Sequence, residues 1–255
     1  MTTLAGARVL VTGGSKGIGA AFARVAAASG AQVRLIARGE ADLRAVADEI
    51  GATWRTADVT DAPALAAAIH ELGDVDIVVS CAGIALPGRF VDTPLEEFRE
   101  QLEVNYLGTL NLLKSVLPGP AHVVLTSSTA GLIGVVGYSG YAPTKWAIRG
   151  LADTLRYEFP ATRFSVLYPP DTETPGFALE NTRKPPETVA VSGAVTPVKP
   201  EVVARALARG IERNRDSIAI DLLTKTLVRF GGIVEPLARR GIRKTIARSL
   251  GSPPG

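Results

Sequence analysis

The chain has 255 residues, of which 46% are apolar and 21% are charged. That length and apolar content suit one large globular domain and exclude a disordered chain. With one cysteine, Cys81, and two histidines, His70 and His122, the sequence supports neither an internal disulfide nor a zinc site of Cys/His spacing, so no metal is predicted.

The sequence also favours a cytoplasmic location. The amino-terminal residues lack the basic and long apolar regions of an export signal, and one cysteine is typical of a reducing compartment. No run of 18 apolar residues predicts a membrane-spanning helix. We therefore expect a cytoplasmic protein that could lie peripherally at a membrane surface.

Charge is distributed unevenly along the chain. Residues 1–175 carry 14 Lys/Arg against 18 Asp/Glu, and residues 176–255 carry 14 against 7, so the net charges are −4 and +7. The basic part has few aromatic residues and no nucleic-acid-binding motif, so no nucleic-acid partner is predicted. A membrane surface or an anionic ligand fits this charge better.

Short β-branched runs alternate with Ala/Leu-rich amphipathic segments along the chain. The predicted strands are Val9–Val11, Val33–Ile36, Thr53–Arg55, Ile77–Val79, Val123–Leu125 and Phe164–Leu167. Mostly apolar strands separated by helices are typical of a parallel sheet between two helical layers. We therefore predict an α/β fold with a Rossmann-like, doubly wound parallel sheet, in a single domain over residues 1–255.

A glycine-rich turn directly follows the first predicted strand and precedes a helix. Its candidate cofactor-binding residues are Gly13, Ser15, Lys16, Gly17, Ile18 and Gly19. Glycines in this place permit a tight turn and let backbone N–H groups approach a pyrophosphate at the helix amino terminus. The pattern predicts a dinucleotide site, and an ordinary flexible turn is the alternative.

The second predicted strand ends near Arg38, where NAD-binding sites usually offer a carboxylate to the ribose. Arg38 and Lys16 could instead pair with a 2′-phosphate. NADP(H) is therefore predicted as cofactor, and the alternative is that both cations are solvated surface residues.

Tyr141 and Lys145 are four residues apart on a predicted helix, with Ser127 and Ser128 upstream and Asn105 earlier still. This spacing puts the phenol and the ammonium on one face, where the ammonium is expected to lower the phenol pKa and make it a usable proton donor. Such a pair alone also occurs by chance on many helices.

Together these motifs resemble the short-chain dehydrogenase/reductase family over about the first 175 residues. The resemblance implies that Tyr141 is the general acid, that Lys145 holds the nicotinamide ribose, that Ser128 orients the substrate carbonyl, and that Asn105 supports a proton relay. Ser128 is chosen over Ser127 because it lies 13 residues before Tyr141.

The same resemblance assigns further cofactor contacts and an assembly. It implies that Asp58 and Val59 contact the adenine and that Ala82 and Gly83 lie beside the adenosine. Ser80-Cys81 replaces the usual Asn-Asn pair there, so the strand must be stabilised in another way. Pairing through the helices that carry Asn105 and Tyr141 is expected, which gives a homo-oligomer.

Residues 169–200 contain seven prolines and directly follow a predicted strand, so we predict a loop region with one short helix that folds over the ligands as a lid. Within it, Tyr168–Phe177 resembles the members of the family that reduce 3-ketodihydrosphingosine, a long-chain amino ketone. That resemblance implies cofactor contacts for Thr172 and Thr174. A proline-rigidified loop without a substrate role is the alternative.

The sequence thus predicts NADPH-dependent reduction of a lipophilic ketone to a secondary alcohol. In the lid, Asp171 and Glu173 are candidates to bind the substrate ammonium, and turn capping is the alternative for Asp171. Other possible functions are reduction of a steroid or 3-oxoacyl group, and an NADP(H)-binding regulator without activity.

A basic amphipathic extension is predicted over residues 222–250. Ala238, Ile242, Ile246 and Leu250 form an apolar stripe beside the cations Arg240, Lys244 and Arg248. Residues 237–250 are expected either to contact an anionic membrane surface or to pack on protein with the cations facing water.

Overall fold

The computed structural model describes residues 2–192 and 196–249. The strands are β1 (Arg8–Thr12), β2 (Gln32–Ala37), β3 (Thr53–Thr56), β4 (Ile77–Ser80), β5 (His122–Thr126), β6 (Arg163–Tyr168) and β7 (Ser217–Ala219). The helices are α1 (Gly17–Ala28), α2 (Glu40–Ile50), α3 (Ala62–Leu72), α4 (Leu95–Leu102), α5 (Gly108–Val116), α6 (Tyr141–Glu158), α7 (Pro175–Asn181), α8 (Pro186–Ser192), α9 (Pro200–Glu212) and α10 (Leu222–Ser249). A π-helical turn, Glu103–Leu107, joins α4 to α5.

The strands form one parallel sheet in the order β3-β2-β1-β4-β5-β6-β7. Val9 of β1 pairs with Val33 of β2 on one side and with Ile77 of β4 on the other. Chain order therefore reverses between β1 and β4, which makes this the switch point of a doubly wound sheet. The predicted fold class is confirmed, and the carboxyl ends of the strands meet at one edge where ligands bind in such folds.

Two helical layers bury the sheet. One face packs against α3, α5 and α6 through Leu65, Leu112 and Ile148. The other face packs against α1, α2 and α9 through residues such as Phe22 and Leu207. The sheet is thus held rigid from both sides, and side chains at its carboxyl edge are fixed relative to one another.

All six predicted strands are present, each extended by one or two residues. The sequence prediction missed β7, which has three residues and pairs with β6 at the edge of the sheet. A strand this short gives too few alternating or apolar positions to be distinguished from a loop.

The segment 169–200 has more helix than predicted. Instead of one short helix, α7 and α8 lie within the part that the structure describes, and residues 193–195 lie outside it. Prolines stand at the start of three helices here: Pro175 in α7, Pro186 in α8 and Pro200 in α9. A proline in the first turn needs no hydrogen-bond partner and has a helical φ, so it starts a helix rather than preventing one.

The carboxyl-terminal extension forms the long helix α10, interrupted at Phe230, where φ is −132° and ψ is 26°. Ala238 and Ile242 of the predicted apolar stripe pack against the core, together with Val234. For these residues the structure therefore shows packing on the domain, while Leu250 lies outside the described residues. Across residues 2–192 and 196–249, no helix is both long enough and apolar enough to span a bilayer.

Candidate active site

The glycine-rich turn lies in close contact with the loop that follows β4. Gly13 has a φ of +70°, and a Cβ on it would lie 2.7 Å from the backbone nitrogen of Ala82. A Cβ on Gly19 would lie 2.3 Å from the Gly13 carbonyl oxygen. Side chains are excluded at both positions, so the turn keeps its backbone N–H groups and the start of α1 open to an anion. Ser15 is half-buried in this turn, and Ile18 anchors α1 in the core.

Lys16 and Arg38 lie near this turn, and each is paired with a carboxylate. Lys16 Nζ is 2.7 Å from Asp42 Oδ2, and Arg38 Nη1 is 3.6 Å from Asp58 Oδ2. Both cations are more than half exposed, so these ion pairs are weak and can exchange for another anion. The pKa of Asp58 is lowered: burial opposes the shift, but hydrogen bonds from Thr60 and the charge of Arg38 outweigh it.

The loop after β4 is held by side chains from neighbouring elements. Asn105 in the π-helical turn accepts a hydrogen bond from the Ile84 nitrogen at 2.8 Å and donates one to the Ile84 oxygen at 2.9 Å. A Cβ on Gly83 would lie 3.0 Å from Asn105 Oδ1 and 3.4 Å from Lys145 Nζ. Asn105, Gly83 and Lys145 are therefore close neighbours.

Two hydroxyl contacts stabilise the strand end where the sequence departs from the family pattern. Ser80 Oγ lies 3.4 Å from Thr109 Oγ1 of α5, and Cys81 Sγ lies 3.7 Å from Thr126 Oγ1 of β5. Burial raises the pKa of Cys81 to about 11, so this thiol is not poised to react. Val59, on a neighbouring loop, is held by Asn111, which donates to its carbonyl oxygen at 2.9 Å.

Tyr141 and Lys145 lie in the first two turns of α6, and Lys145 Nζ is 5.5 Å from the centre of the Tyr141 ring. Lys145 donates to the Thr126 carbonyl oxygen at 3.0 Å, and burial lowers its pKa to about 8. Burial also raises the pKa of Tyr141, and the Ser128 hydroxyl acts in the opposite direction. Burial therefore has the largest effect on the pKa of Tyr141, and the expectation that Lys145 lowers that pKa stays a prediction.

The structure separates the two candidate serines. Ser127 is buried and donates to the Lys145 carbonyl oxygen at 2.7 Å, which commits it to holding α6. Ser128 is half-buried, and its oxygen accepts from the Ala130 nitrogen at 3.2 Å. Ser128, rather than Ser127, is thus the serine with a hydroxyl near Tyr141.

The first residues of the segment 169–200 lie across the sheet edge. Thr172 is buried, donates to the Pro170 carbonyl oxygen at 2.7 Å and forms a bridge with Val198. Thr174 caps α7 by accepting from the Phe177 nitrogen at 3.0 Å. A Cβ on Gly17 would lie 3.0 Å from the Thr174 methyl group, so this segment reaches the glycine-rich turn.

The two acidic residues of the segment lie in different surroundings. Asp171 is half-buried, and its side chain faces Lys184, with Lys184 Nζ 3.9 Å from Asp171 Oδ2. Burial raises the pKa of Asp171, although Lys184 acts against this shift. Glu173 is exposed, and its backbone nitrogen donates to the Val198 carbonyl oxygen at 2.9 Å.

Sequence reasoning missed three residues near Tyr141: Tyr138, Glu180 and Lys184. The Tyr138 and Tyr141 rings are 5.8 Å apart, and the Tyr138 hydroxyl donates to Glu180 Oε1. Lys184 Nζ lies 3.3 Å from Glu180 Oε1. The four-residue spacing of Glu180 and Lys184 was a usable signal for an ion pair, but no local pattern links Glu180 to Tyr138.

The sheet, the glycine-rich turn and the grouping of Asn105, Ser128, Tyr141 and Lys145 at one edge define a dinucleotide-dependent oxidoreductase. Residues 7–185 match the family model described as short chain dehydrogenase. The chain belongs to the short-chain dehydrogenase family.

Curated relatives and a solved structure are similar over most of the chain. The 3-ketodihydrosphingosine reductase of Dictyostelium discoideum is 36% identical over 87% of this chain and 77% of its own length. The enzyme of that name from Bos taurus is 34% identical over 96% and 83%. An alcohol dehydrogenase from Thermococcus sibiricus, complexed with 5-hydroxy-NADP, is 29% identical with a TM-score of 0.72, over 84% of this chain and 95% of that one.

Proposed function

We propose that this protein reduces 3-ketodihydrosphingosine to dihydrosphingosine with NADPH. The observation that carries the proposal is the assembly of Ser128, Tyr141 and Lys145 beside the glycine-rich turn at the carboxyl edge of the sheet. Relatives named for this reaction share 36% and 34% identity with the chain. The bound dinucleotide would supply the hydride.

The chain's own residues then handle the carbonyl oxygen and its proton. Ser128 donates a hydrogen bond that orients the oxygen, and Tyr141 transfers its phenolic proton to that oxygen as negative charge develops. Because burial raises the pKa of Tyr141, the phenol carries its proton before the transfer to the carbonyl oxygen. Lys145 holds the nicotinamide ribose, and Asn105 supports a water-linked proton relay.

The residues present fit NADP(H). The turn at Gly13 and Gly19 leaves no room for side chains, as a closely bound pyrophosphate requires. Lys16 and Arg38 are exposed cations in weak ion pairs, which a 2′-phosphate can replace. Asp58 and Val59 would contact the adenine, Ala82 and Gly83 the adenosine, and Thr172 and Thr174 the nicotinamide end.

The proposed substrate carries an ammonium group beside its ketone, and Asp171 is the proposed partner for that charge. Its side chain is one-third exposed and lies beside Lys184, so it can still accept hydrogen bonds. Glu173, the other candidate, is exposed, and its role in binding the ammonium stays a prediction. Residues 169–200 would close over the substrate as a lid.

A substrate panel tests the proposed function. Purified protein is incubated with NADPH and with 3-ketodihydrosphingosine, its deaminated analogue, a steroid ketone and a 3-oxoacyl ester, and NADPH oxidation is followed. We expect selective turnover of the amino ketone. Turnover of the steroid ketone or the 3-oxoacyl ester would favour the alternative reductase function, and NADPH binding without turnover would favour a regulator.

A second experiment identifies the carboxylate that binds the substrate ammonium. The variants Asp171→Asn and Glu173→Gln are compared on the amino ketone and its deaminated analogue. A variant that loses activity selectively on the amino ketone identifies its residue as the ammonium partner.

We further propose that α10 contacts an anionic membrane surface from which a long-chain substrate is delivered. Ile233 and Leu237 are 76% and 65% exposed, in the same part of α10 as the exposed cations Arg240 and Lys244, and Leu222 at the start of the helix is 80% exposed. The protein is expected to sediment with phosphatidylglycerol vesicles and to bind phosphatidylcholine vesicles more weakly. Equal sedimentation of wild type and the Ile233→Ser/Leu237→Ser variant would contradict this role. The cytoplasmic location stays a prediction.

A homo-oligomer is the proposed assembly, formed through α4–α5 and α6. Leu102, Trp146 and Tyr157 on these helices are large apolar or aromatic side chains with exposures of 44%, 39% and 87%. Sedimentation equilibrium is expected to give at least a dimer, and a monomer at micromolar concentration would contradict this assembly.

A further inference from the structure

Beside Tyr141 lies a group of side chains that the proposed chemistry of the carbonyl does not use. It consists of Asp171, Glu180, Lys184 and Tyr138, with the Phe177 ring at its side. All of them come from the segment 169–200 except Tyr138, which lies three residues before Tyr141. The group therefore joins the proposed lid to the residues that would hold the carbonyl.

This group already binds an ammonium, which the chain itself supplies. The Lys184 side chain is only 3% exposed, and its Nζ lies 3.3 Å from Glu180 Oε1, 3.9 Å from Asp171 Oδ2 and 4.3 Å from the centre of the Phe177 ring. Two carboxylates and an aromatic face are the groups that proteins use to hold an ammonium. The Lys184 ammonium is thus held by two carboxylates and an aromatic ring together.

The charges in the group do not balance. Asp171 and Glu180 carry two negative charges when ionised, and Lys184 supplies one positive charge. Glu180 is 14% exposed and has both Lys184 and Tyr138 as partners, whereas Asp171 is 33% exposed and has Lys184 at a longer distance. When both carboxylates are ionised, one negative charge of this group therefore lacks a cation among these side chains, and it lies on the more exposed side, at Asp171.

We propose that Glu180 and Lys184 set the preference for a substrate with an ammonium next to its ketone, because together with Asp171 they leave one net negative charge beside Tyr141. The inference rests on the proposed function and goes further by making Glu180, and not Glu173, the second carboxylate. Glu180 strengthens the preference, and Lys184 weakens it by neutralising one carboxylate. Glu180 acts through the electrostatic field and is a specificity-determining residue.

The electrostatics of Tyr141 support this placement. Asp171 and Glu180 both act on the Tyr141 phenol and raise its pKa, so the two carboxylates lie within electrostatic reach of the proton donor. Burial raises the pKa of Asp171 and of Glu180. An additional cation would lower both, which means that an ammonium ligand is favoured at this position.

A charge series tests the inference. Glu180→Gln brings the net charge of the group to zero, Lys184→Met brings it to minus two, and the double variant restores minus one. Glutamine keeps an acceptor for Tyr138, and methionine keeps the buried apolar stem. The readout is the ratio of kcat/KM for 3-ketodihydrosphingosine to kcat/KM for its deaminated analogue, so a loss that affects both ketones equally cancels.

We expect the ratio to fall roughly tenfold in Glu180→Gln, to rise roughly tenfold in Lys184→Met and to return near the wild-type value in the double variant. Glu158→Gln, an exposed change of equal charge at the far end of α6, is the control and leaves the ratio unaltered. A ratio that stays constant through the series overturns the inference even when the wild type reduces both ketones.

A binding measurement separates failure of this inference from failure of the proposed function. If the wild type reduces neither ketone, the proposed function fails. Calorimetry then measures the binding of dodecylamine and of dodecanol to the wild type and the three variants of the charge series, with NADP⁺ present. An amine preference that follows the charge series supports the ammonium subsite. Equal binding of amine and alcohol in all four proteins overturns it.

Discussion

The Asn105 side chain holds both backbone polar groups of Ile84, accepting from its nitrogen at 2.8 Å and donating to its oxygen at 2.9 Å. This buried amide replaces a strand partner for the loop after β4, and it also donates to Thr144 Oγ1 of α6 at 3.1 Å. One side chain thus connects the π-helical turn, the loop at the dinucleotide site and the helix that carries Tyr141.

Asn105→Leu is expected to lower the free energy of unfolding by about 2–4 kcal/mol, because two buried backbone groups lose their partner. Activity should fall as well, since the loop loses its register with α6. Urea denaturation and steady-state kinetics measure the two effects. Asn111→Leu is the matched control: the Asn111 side chain donates a hydrogen bond to the Val59 carbonyl oxygen, and a smaller loss is expected there. Equal stability losses would contradict the role given to Asn105.

Tyr141→Phe removes only the phenolic hydroxyl and should reduce turnover by about 10²–10⁴-fold, the range typical of losing a general acid. NADPH affinity should be preserved, since the ring and its packing remain. Stopped-flow kinetics and fluorescence titration of NADPH provide the two readouts. Tyr157→Phe, at an exposed position on the same helix, is the control. Near-normal turnover of Tyr141→Phe would rule out Tyr141 as the acid.

Replacing both cations, in Lys16→Ala/Arg38→Ala, should weaken the binding of NADPH by about tenfold or more. The affinity for NADH should change little, because only NADPH carries a 2′-phosphate. Asp42→Asn should have the opposite effect, since it frees Lys16 from its ion pair. Arg24→Ala, farther along α1, controls for a general change of charge. Titration of both cofactors gives the dissociation constants, and equal weakening of NADPH and NADH would exclude recognition of the 2′-phosphate.

His122 makes stability dependent on pH. It is buried between Thr2 and Ser165, and burial lowers its pKa from 6.5 to about 4, with Arg163 acting in the same direction. The unfolded chain then binds more protons between these pH values, so stability is complete above about pH 6.5 and declines as the pH falls toward 4. The free energy of unfolding falls by on the order of 3 kcal/mol over this pH range.

Urea denaturation at pH 7.5, 5.5 and 4.5 measures this dependence, and His122→Gln is the reference because it cannot gain the proton. His70→Gln, at an exposed position of α3, is the control and should keep the wild-type slope. The prediction fails if wild type and His122→Gln lose stability in parallel.

The elements that sequence reasoning located are those with local causes. The β-branched runs of β1 and β4 are buried on both faces and are recognisable without tertiary information. The glycine-rich turn was equally accessible, because the backbone at Gly13 excludes a Cβ. Tyr141 and Lys145 were found by their four-residue spacing on one helix.

The features that were missed depend on contacts between distant residues. The Tyr138–Glu180 hydrogen bond spans 42 positions, and Lys16 meets Asp42 only because α1 and α2 lie side by side. The hydrogen bond from Lys145 to the Thr126 carbonyl oxygen of β5 is a third contact of this kind. Spacing predicted that Tyr141 and Lys145 share a helix face, whereas the shifts of their pKa values come mainly from burial in the folded domain.

The contact between Thr174 and Gly17 has a consequence for the order of events. The residue that caps α7 lies against the turn on which the dinucleotide would lie, so we expect the proposed cofactor and ketone sites to share one wall. A cofactor that enters first would then complete the ketone site, whereas a ketone that enters first would block the route to Gly17. We expect compulsory-order kinetics with the dinucleotide as first substrate and last product. Product inhibition by NADP⁺ should then be competitive with NADPH and noncompetitive with the ketone, and a random-order pattern would contradict the shared wall.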